Sequence, residues 1–504
     1  MPDILLTTLN ARYIHSALGL RYLYANLGAL QPRAKMIEFE FRDNLMDIAE
    51  KLLAESPRLI GIGVYIWNAA AVSQLVAILK KLSPETVIVL GGPEVSHAPY
   101  RVDFSPADVV IQGEGETAFR TVCHRFLQEG WIPESAILQA APVDVASLAL
   151  PYAFYTDEDV QHRVIYIELS RGCPFCCEFC LSAIDPAVRY FDVTAIMNEI
   201  DTLWQRGVRK FKFVDRSFNI DINRVLPVLQ YFLDKTPPYL IHFEMVPNAF
   251  PEALMTLLRR FPPGTVQLEV GIQTLSPETS RRIGRPLCID TIATNLRLLE
   301  DLTAAHLHID LIMGLPGECP ALFGAHLNQL VEWTSAEIQL GVLKKLSGTT
   351  MSRHDANYGM VYSSFPPYEI LQNHLIPFAE MQRLKRFARF WDLYYNSGNF
   401  RSTVVLLWPD GDVFQHFMAF SSWIFKATES TWQFSLNRLA ELLFNYLTQE
   451  RHQDKTELAN LLAADMLKVQ GRKLPPFLRE YASEVPEQPK KGLNPMRRRQ
   501  ILRS

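Results

Sequence analysis

Short apolar runs and helical periodicities alternate along the first two thirds of the chain. Residues 4–9, 35–41, 59–66, 86–90 and 108–111 are rich in aliphatic and β-branched residues and predict strands. Between them, residues 16–27 and 70–82 repeat apolar positions every three or four residues and predict helices, the first with Ser16 as its N-cap. Such alternation predicts an α/β fold whose first sheet is mostly parallel and doubly wound. From residue 163 the alternation resumes. Runs at 163–169, 210–214, 240–245, 266–272, 308–312 and 337–342 predict six strands. Helical patterns at 193–205, 222–233, 252–260, 291–304 and 321–333 separate them, enough for a partial (β/α)6 barrel open on one side.

The pattern changes after Pro366-Pro367. Phe378, Met381, Leu384, Phe387, Trp391 and Tyr394 form an apolar stripe, and residues 436–447 and 458–467 predict two more helices. The organisation expected is therefore a first domain at 1–140, a connection at 141–162 and a barrel domain at 163–365. A mostly helical domain at 366–489, packed on the open side of the barrel, and a basic tail at 490–504 complete it.

Composition narrows the class. Of 504 residues, 48% are hydrophobic and 21% charged, so a sizeable core is affordable. The net charge of −4 argues against a general nucleic-acid binder. The tail adds Lys490, Lys491, Arg497, Arg498, Arg499 and Arg503 without an acid. Its plain reading is a solvated extension, and its sharper reading a docking arm for RNA or an acidic partner. No apolar run approaches the ~18 residues a membrane span needs, so no membrane partner is expected. The N-terminus lacks a signal-peptide pattern and the cysteines are clustered, which fits a reducing cytoplasm.

Four of the seven cysteines fall within eight residues, in Cys173-Pro174-Phe175-Cys176-Cys177-Glu178-Phe179-Cys180. They follow the run at 163–169, on the loop leaving the carboxyl end of a strand, where α/β folds place chemistry. Thiolates this dense suit a soft metal. Cys173, Cys177 and Cys180 have the spacing C-x3-C-x2-C, and three ligands on a four-iron cluster leave one iron open. Cys173/Cys176 and Cys177/Cys180 are also two abutting C-x2-C pairs, a zinc pattern, although four sulfurs in eight residues are cramped for a tetrahedron. With its Arg171-Gly172-Cys173 entry and Phe179 before the last cysteine, the stretch resembles the cluster loop of the radical S-adenosylmethionine (SAM) superfamily. The resemblance implies a [4Fe-4S] cluster on Cys173, Cys177 and Cys180, with Phe179 beside the cofactor. SAM is then chelated at the open iron and cleaved to a 5′-deoxyadenosyl radical by an electron from a donor such as flavodoxin or ferredoxin.

Two glycine turns mark strand ends upstream, Gly91-Gly92-Pro93-Glu94 and Gly113-Glu114-Gly115-Glu116. Neither is a dinucleotide fingerprint. Together with Leu18-Gly19-Leu20-Arg21-Tyr22-Leu23 they resemble the Rossmann-like cobalamin-binding domain of B12-dependent radical SAM proteins. That resemblance implies a corrin over the strand ends, its nucleotide tail running past Trp67, Asn68, Gly91, Gly92, Pro93, Gly113, Glu114 and Gly115. The Asp-x-His-x-x-Gly signature of domains that give cobalt a histidine is absent: Gly19 lies one residue too far from His15, and Tyr13 stands in the place of Asp. A structural hydrogen-bonding role is therefore expected for His15.

Polar residues stud the later strand ends: Asp215, His242, Glu244, Glu269, Gln273 and Asp310. Each reads equally as a salt-bridged core residue or a ligand contact. As a set, Glu244, Gln273, Arg285 and the Asp310 of Asp310-Leu311-Ile312-Met313-Gly314-Leu315-Pro316 resemble the SAM-binding pattern of the oxygen-independent coproporphyrinogen oxidase branch. The resemblance implies that these four contact SAM. The usual Gly-Gly-Glu turn after the second strand is replaced by Val214-Asp215-Arg216, which leaves the partner of the SAM ammonium open. Cys288 and Cys319 read as packing residues. The resemblance as a whole implies methyl transfer to an unactivated carbon of an unidentified substrate, with cyclisation or rearrangement as the alternative. A zinc-stapled binding scaffold is the rival of another class.

Overall fold

The computed structural model describes residues 1–484, so the basic tail at 490–504 lies outside the described residues. The chain divides into two compact units. One holds Met1–Arg216 with Lys344–Arg353 and Tyr362–Glu369; the other holds Ser217–Leu343, His354–Val361 and the chain from Ile370 on.

The first unit is built on a parallel sheet. Its elements are β1 (Ile4–Asn10), α1 (Leu18–Ala25), β2 (Ala34–Glu40), α2 (Leu45–Ala54), β3 (Leu59–Gly63), α3 (Ala69–Leu82), β4 (Val87–Gly91), β5 (Val109–Gln112), α4 (Gly115–Glu129) and β6 (Ile137–Gln139). The strand order is β2-β1-β3-β4-β5-β6, and every pairing is parallel. β1 is buried along its whole length, as a strand covered on both faces must be. Leu5, Ile60 and Ile88 pack with Ile48, Val72 and Leu75 of α2 and α3 on one face. Ile4, Leu6, Val87 and Val109 pack with Leu20, Phe119 and Val122 of α1 and α4 on the other. The doubly wound expectation holds, and the order reverses between β1 and β3, where such sheets place their ligands.

The same unit continues through α5 (Asp157–His162), β7 (Ile165–Ile167), β8 (Ser170–Arg171), β9 (Arg189–Tyr190), α6 (Val193–Gln205) and β10 (Lys210–Phe213). β7 and β10 pair in parallel, while β8 and β9 form a short antiparallel neck.

The second unit carries α7 (Ile222–Leu233), β11 (Leu240–Met245), α8 (Glu252–Leu258), β12 (Val266–Gln273), α9 (Pro277–Arg282), α10 (Ile289–Leu302), β13 (His306–Met313), α11 (Pro320–Trp333) and β14 (Glu337–Val342). Strands β11 to β14 pair in chain order, all parallel, each separated from the next by helix. On β13, Leu307, Ile309, Leu311 and Met313 are buried while His306, His308 and Asp310 alternate with them on the opposite face. Beyond come α12 (Asp355–Tyr358), α13 (Phe378–Trp391), α14 (Arg401–Val404), α15 (Val413–Thr428), α16 (Leu436–Gln449) and α17 (Lys455–Leu467), the expected helical region. β14 is the last strand of its sheet. Trp391 Nε1 and Asn396 Nδ2 both donate to Ile338 O at 2.9 Å, and Asn396 Oδ1 accepts from Ile338 N at 2.9 Å. Side chains thus take the place of a further strand along that edge.

Several local expectations shift. Ser16 does not cap α1. Its hydroxyl donates to Val164 O at 3.0 Å, and Glu38 takes the Ala17 N–H at 2.9 Å, so the helix begins at Leu18. β3 stops at Gly63 rather than at residue 66, because the Asn68 amide turns the chain by binding Tyr65 N and Gly63 O. The stretch read as a connection contains α5, opened by a Thr156/Asp159 capping box. Helices α2, α4, α9, α12, α14 and α15 and strands β6, β8 and β9 were not anticipated.

Candidate cofactor site

The cysteine loop runs from the end of β8 to the start of β9. Cys173 and Cys177 are buried, Cys180 is partly buried and Cys176 is exposed. Cys173 N donates to Asp185 O at 2.9 Å and Cys180 N to Cys177 O at 3.0 Å, which folds the loop back on itself. Gly172 has φ +90, and an added Cβ would stand 2.5 Å from Ala187 O, so only glycine fits before the first thiol. The donor set fits an iron–sulfur cluster: three soft thiols are set inward, and the fourth is turned to solvent. Glu178, inside the loop, is buried and paired with Arg353.

Two acids, half-buried Glu168 and buried Asp215, flank the backbone that enters this loop. Glu168 is pushed up to about 7 by burial, against the pull of Arg171 at 3.2 Å. Asp215 is pushed up to about 6 by burial, although Ser170 Oγ and Leu169 N donate to it at 2.5 and 3.0 Å. Asp215 stands where the sequence lacks the usual glycine-rich turn, and it fixes the backbone entering the cysteine loop.

A cavity of about 300 Å³ lies at the carboxyl ends of β3, β4 and β5. Gly61, Gly63, Gly91, Gly92, Gly113 and Gly115 supply backbone walls, while Leu20, Leu23 and Phe119 supply apolar ones. At Gly92, with φ +111, a Cβ would meet Val64 O at 2.6 Å; at Gly91 it would meet nothing nearer than 4.0 Å and would project into free space. This glycine cradle at the carboxyl ends of adjacent parallel strands fits the nucleotide tail of a corrin.

The cavity gathers Gly91, Gly92, Gly113, Glu114 and Gly115 from the expected set; Trp67, Asn68 and Pro93 do not line it. Asn68 is fully buried, and its amide also donates to Thr8 Oγ1 and Leu9 O. Trp67 stacks on Tyr65 at 4.5 Å and donates to Leu9 O. Pro93 is exposed in its turn. His15 Nδ1 is hydrogen-bonded to Tyr166 Oη at 2.7 Å. Arg171 was read only as part of the loop entry, yet it also lines the cavity. No signal along the chain announces that it faces α4.

In the second unit, β12 bulges between Gly271 and Gln273, and Gln273 takes a left-handed φ of 73. Bulges re-aim side chains beside functional sites. A Cβ on Gly271 would fall 2.6 Å from Gln273 Nε2 and 3.3 Å from Arg285 Nη2, and Arg285 donates to Gly271 O. Gly271 is also the register partner of Asp310. Gln273 and Arg285 therefore converge on one glycine, with Asp310 in register with it on the neighbouring strand, a set that fits the amino-acid end and ribose of SAM. Glu244 sits one strand away in register with Glu269, which pairs in turn with His308. Glu269, His308 and Asp310 bring ligand atoms within 4.8 Å of one another, and burial holds His308 below the usual imidazole range.

Three family models match successive parts of the chain. A family model described as B12 binding domain matches residues 4–123, the radical SAM superfamily model matches 167–330, and a model described as a protein of unknown function (DUF4080) matches 356–503. The chain thus combines a B12-binding domain with a radical SAM domain. Among curated relatives, 2-(S-pantetheinyl)-carbapenam-3-carboxylate methyltransferase of Streptantibioticus cattleyicolor is 24% identical over 328 residues, covering 57% of this chain and 47% of that protein. The chain thus spans about half the length of the curated relatives it matches. Among solved structures, the radical SAM methyltransferase TsrM from Kitasatospora setae aligns with a TM-score of 0.57 at 16% identity, covering 75% of this chain and 80% of that one. The cobalamin-dependent radical SAM enzyme OxsB aligns at 0.59 and 13%, covering 92% and 79%. At these identities the likeness is one of fold. Among the described residues, no helix is long and apolar enough to cross a membrane.

Proposed function

We propose that this chain is a cobalamin-dependent radical SAM methyltransferase acting on an unactivated carbon. The observation that carries the reading is the presence, within one compact unit, of a three-thiol loop and a glycine-lined cavity at the carboxyl ends of parallel strands. The methyltransferase names of TsrM and of the carbapenam relative support methyl transfer over cyclisation or rearrangement.

In this reading Cys173, Cys177 and Cys180 hold a [4Fe-4S] cluster, and the cavity formed by Gly91, Gly92, Gly113, Glu114 and Gly115 receives the nucleotide tail of cobalamin. When bound, the cluster supplies the electron that cleaves SAM to a 5′-deoxyadenosyl radical, and cobalamin carries the methyl group to the substrate carbon. Arg285 grips the SAM carboxylate, Gln273 and Asp310 accept or donate around its ribose and amino group, and Glu244 serves the same ligand from the next strand. Phe179 shields the cluster side of the site. A flavodoxin- or ferredoxin-type donor supplies the electron. The work falls in the cytoplasm, where thiols stay reduced.

The test is anaerobic reconstitution with iron, sulfide and cobalamin, followed by methyl-labelled SAM, a reductant and extracts of cells lacking the protein. Formation of 5′-deoxyadenosine together with a labelled product supports the reading; 5′-deoxyadenosine without label points to cyclisation or rearrangement. Cys177→Ala is expected to abolish iron–sulfur absorbance while Cys176→Ala keeps it. Equal loss of iron in the two variants overturns the ligand assignment, and zinc without iron in the parent protein ends the radical reading.

A further inference from the structure

The neck of the cysteine loop poses an electrostatic problem. In the β8/β9 pair, Arg171 stands directly opposite Arg189, and like charges in register on an antiparallel pair repel. Glu114 resolves it. Its Oε1 lies 3.5 Å from Arg171 Nη1 and 2.7 Å from Arg189 Nη2, so one carboxylate bridges both guanidinium groups. Glu116 takes Arg171 Nη2 at 2.8 Å, and Asp185 takes Arg189 Nη2 at 2.6 Å. Burial works to raise the Glu114 carboxyl, but the hydrogen bonds from Arg189 outweigh it and keep it charged. Arg171 is only 12% exposed.

Glu114 and Glu116 belong to the Gly-Glu-Gly-Glu turn, whose Gly113, Glu114, Gly115 and Glu116 wall the cavity together with Arg171. The turn is closely flanked within the cavity, since a Cβ on Gly115 would lie 3.2 Å from Leu23, another wall residue. Whatever fills the cavity therefore bears on the acids that keep the loop neck closed. We infer that Glu114 is a positioning residue that couples occupancy of this cavity to retention of the cluster on Cys173, Cys177 and Cys180. The inference rests on the reading of the cavity as the cobalamin site. Fixing the turn fixes both arginines, the neck stays shut, and the loop does not open to release iron. Coupling of this kind is reciprocal.

The experiment uses the full chain, reconstituted with iron and sulfide, with and without hydroxocobalamin. Its readout is the rate of iron release to a ferrous chelator. With cobalamin bound, release is expected to slow by roughly fivefold or more, within the usual span of coupling between sites. Glu114→Gln, which keeps the shape and removes the charge, is compared at cobalamin concentrations that saturate it, and is expected to lose iron equally fast with and without the corrin. Glu114→Asp should recover part of the protection. The wild-type protein alone supplies the reciprocal arm: cobalamin is expected to bind more tightly to cluster-loaded than to cluster-free protein. Equal release rates in wild type with cobalamin demonstrably bound, or full protection in Glu114→Gln, overturn the coupling while leaving the cobalamin reading intact. No cobalamin uptake by cluster-loaded wild type overturns both.

Discussion

Replacing Gly91 by leucine isolates the cavity from the stability of the fold. Gly91 ends β4 with ordinary backbone geometry, and an added Cβ would find its nearest neighbour, Ile111 O, at 4.0 Å. A leucine there grows into the space that the nucleotide tail is to occupy. Forcing a ligand against the added carbons costs about 1–3 kcal/mol, so cobalamin affinity should fall by roughly ten- to a hundredfold. Folding stability should hold or rise slightly, since a strand glycine costs about 0.5–1 kcal/mol relative to alanine. The neighbouring Gly92 is the opposite case. Its φ of +111 and the 2.6 Å approach of Val64 O mean that even alanine disturbs the turn, at a cost of at least ~1–2 kcal/mol, before any ligand arrives. The assay is cobalamin retention on gel filtration, read by visible absorbance, beside thermal unfolding by circular dichroism. Gly91→Leu that melts like wild type and still carries one corrin per chain would refute the placement of the tail in this cavity.

Arg285→Ala and Asp310→Ala should each keep wild-type iron content and weaken SAM binding by about ten- to a hundredfold, the cost of one charge-assisted contact, checked by equilibrium dialysis. Glu168 and Asp215 have folded-state values raised to about 7 and about 6, so the folded protein holds protons there that the unfolded chain has already lost. Their contribution to stability is full below the ordinary carboxylate range and fades as pH rises through 6 to 7; urea midpoints of cluster-free protein should fall between pH 5 and pH 8, and Glu168→Gln should flatten that slope. Asp465 accepts from Ser402 N, Thr403 N and Thr403 Oγ1 at 3.1, 2.9 and 2.8 Å. Asp465→Ala should cost about 1–3 kcal/mol in denaturant unfolding and leave cofactor loading untouched.

Local features were legible in the chain and distant pairings were not. The cysteine loop declared itself because its ligands lie within eight residues, and the glycine turns did so because close backbone approach demands that residue type. Asn68 was read as a ligand contact beside a strand end. Only the fold reveals that its amide is spent on the backbone of Gly63, Tyr65 and Leu9. Arg189 and Glu114 are 75 positions apart, and nothing in either neighbourhood names the other. The α5 cap escaped notice because Asp159 stands where the usual box has Glu or Gln. The α15 segment does carry a helical period, with Val413, Phe414, Phe417, Met418, Ser421 and Ile424 buried against α11 and α13, and it was overlooked.

The side chains that finish β14 bear on how this family is divided into parts. A strand edge left bare offers its amides to any passing chain, and a protein that ended after its barrel would be sticky there. Trp391 and Asn396 occupy the backbone of Ile338, and both lie inside the region matched by the family of unknown function. That region is therefore the selvedge of the barrel as well as a separate helical piece. Trimming it in search of a minimal catalytic core would fray the sheet, and trading it for a relative's equivalent would succeed only where the borrowed piece brings a tryptophan and an amide to the same backbone.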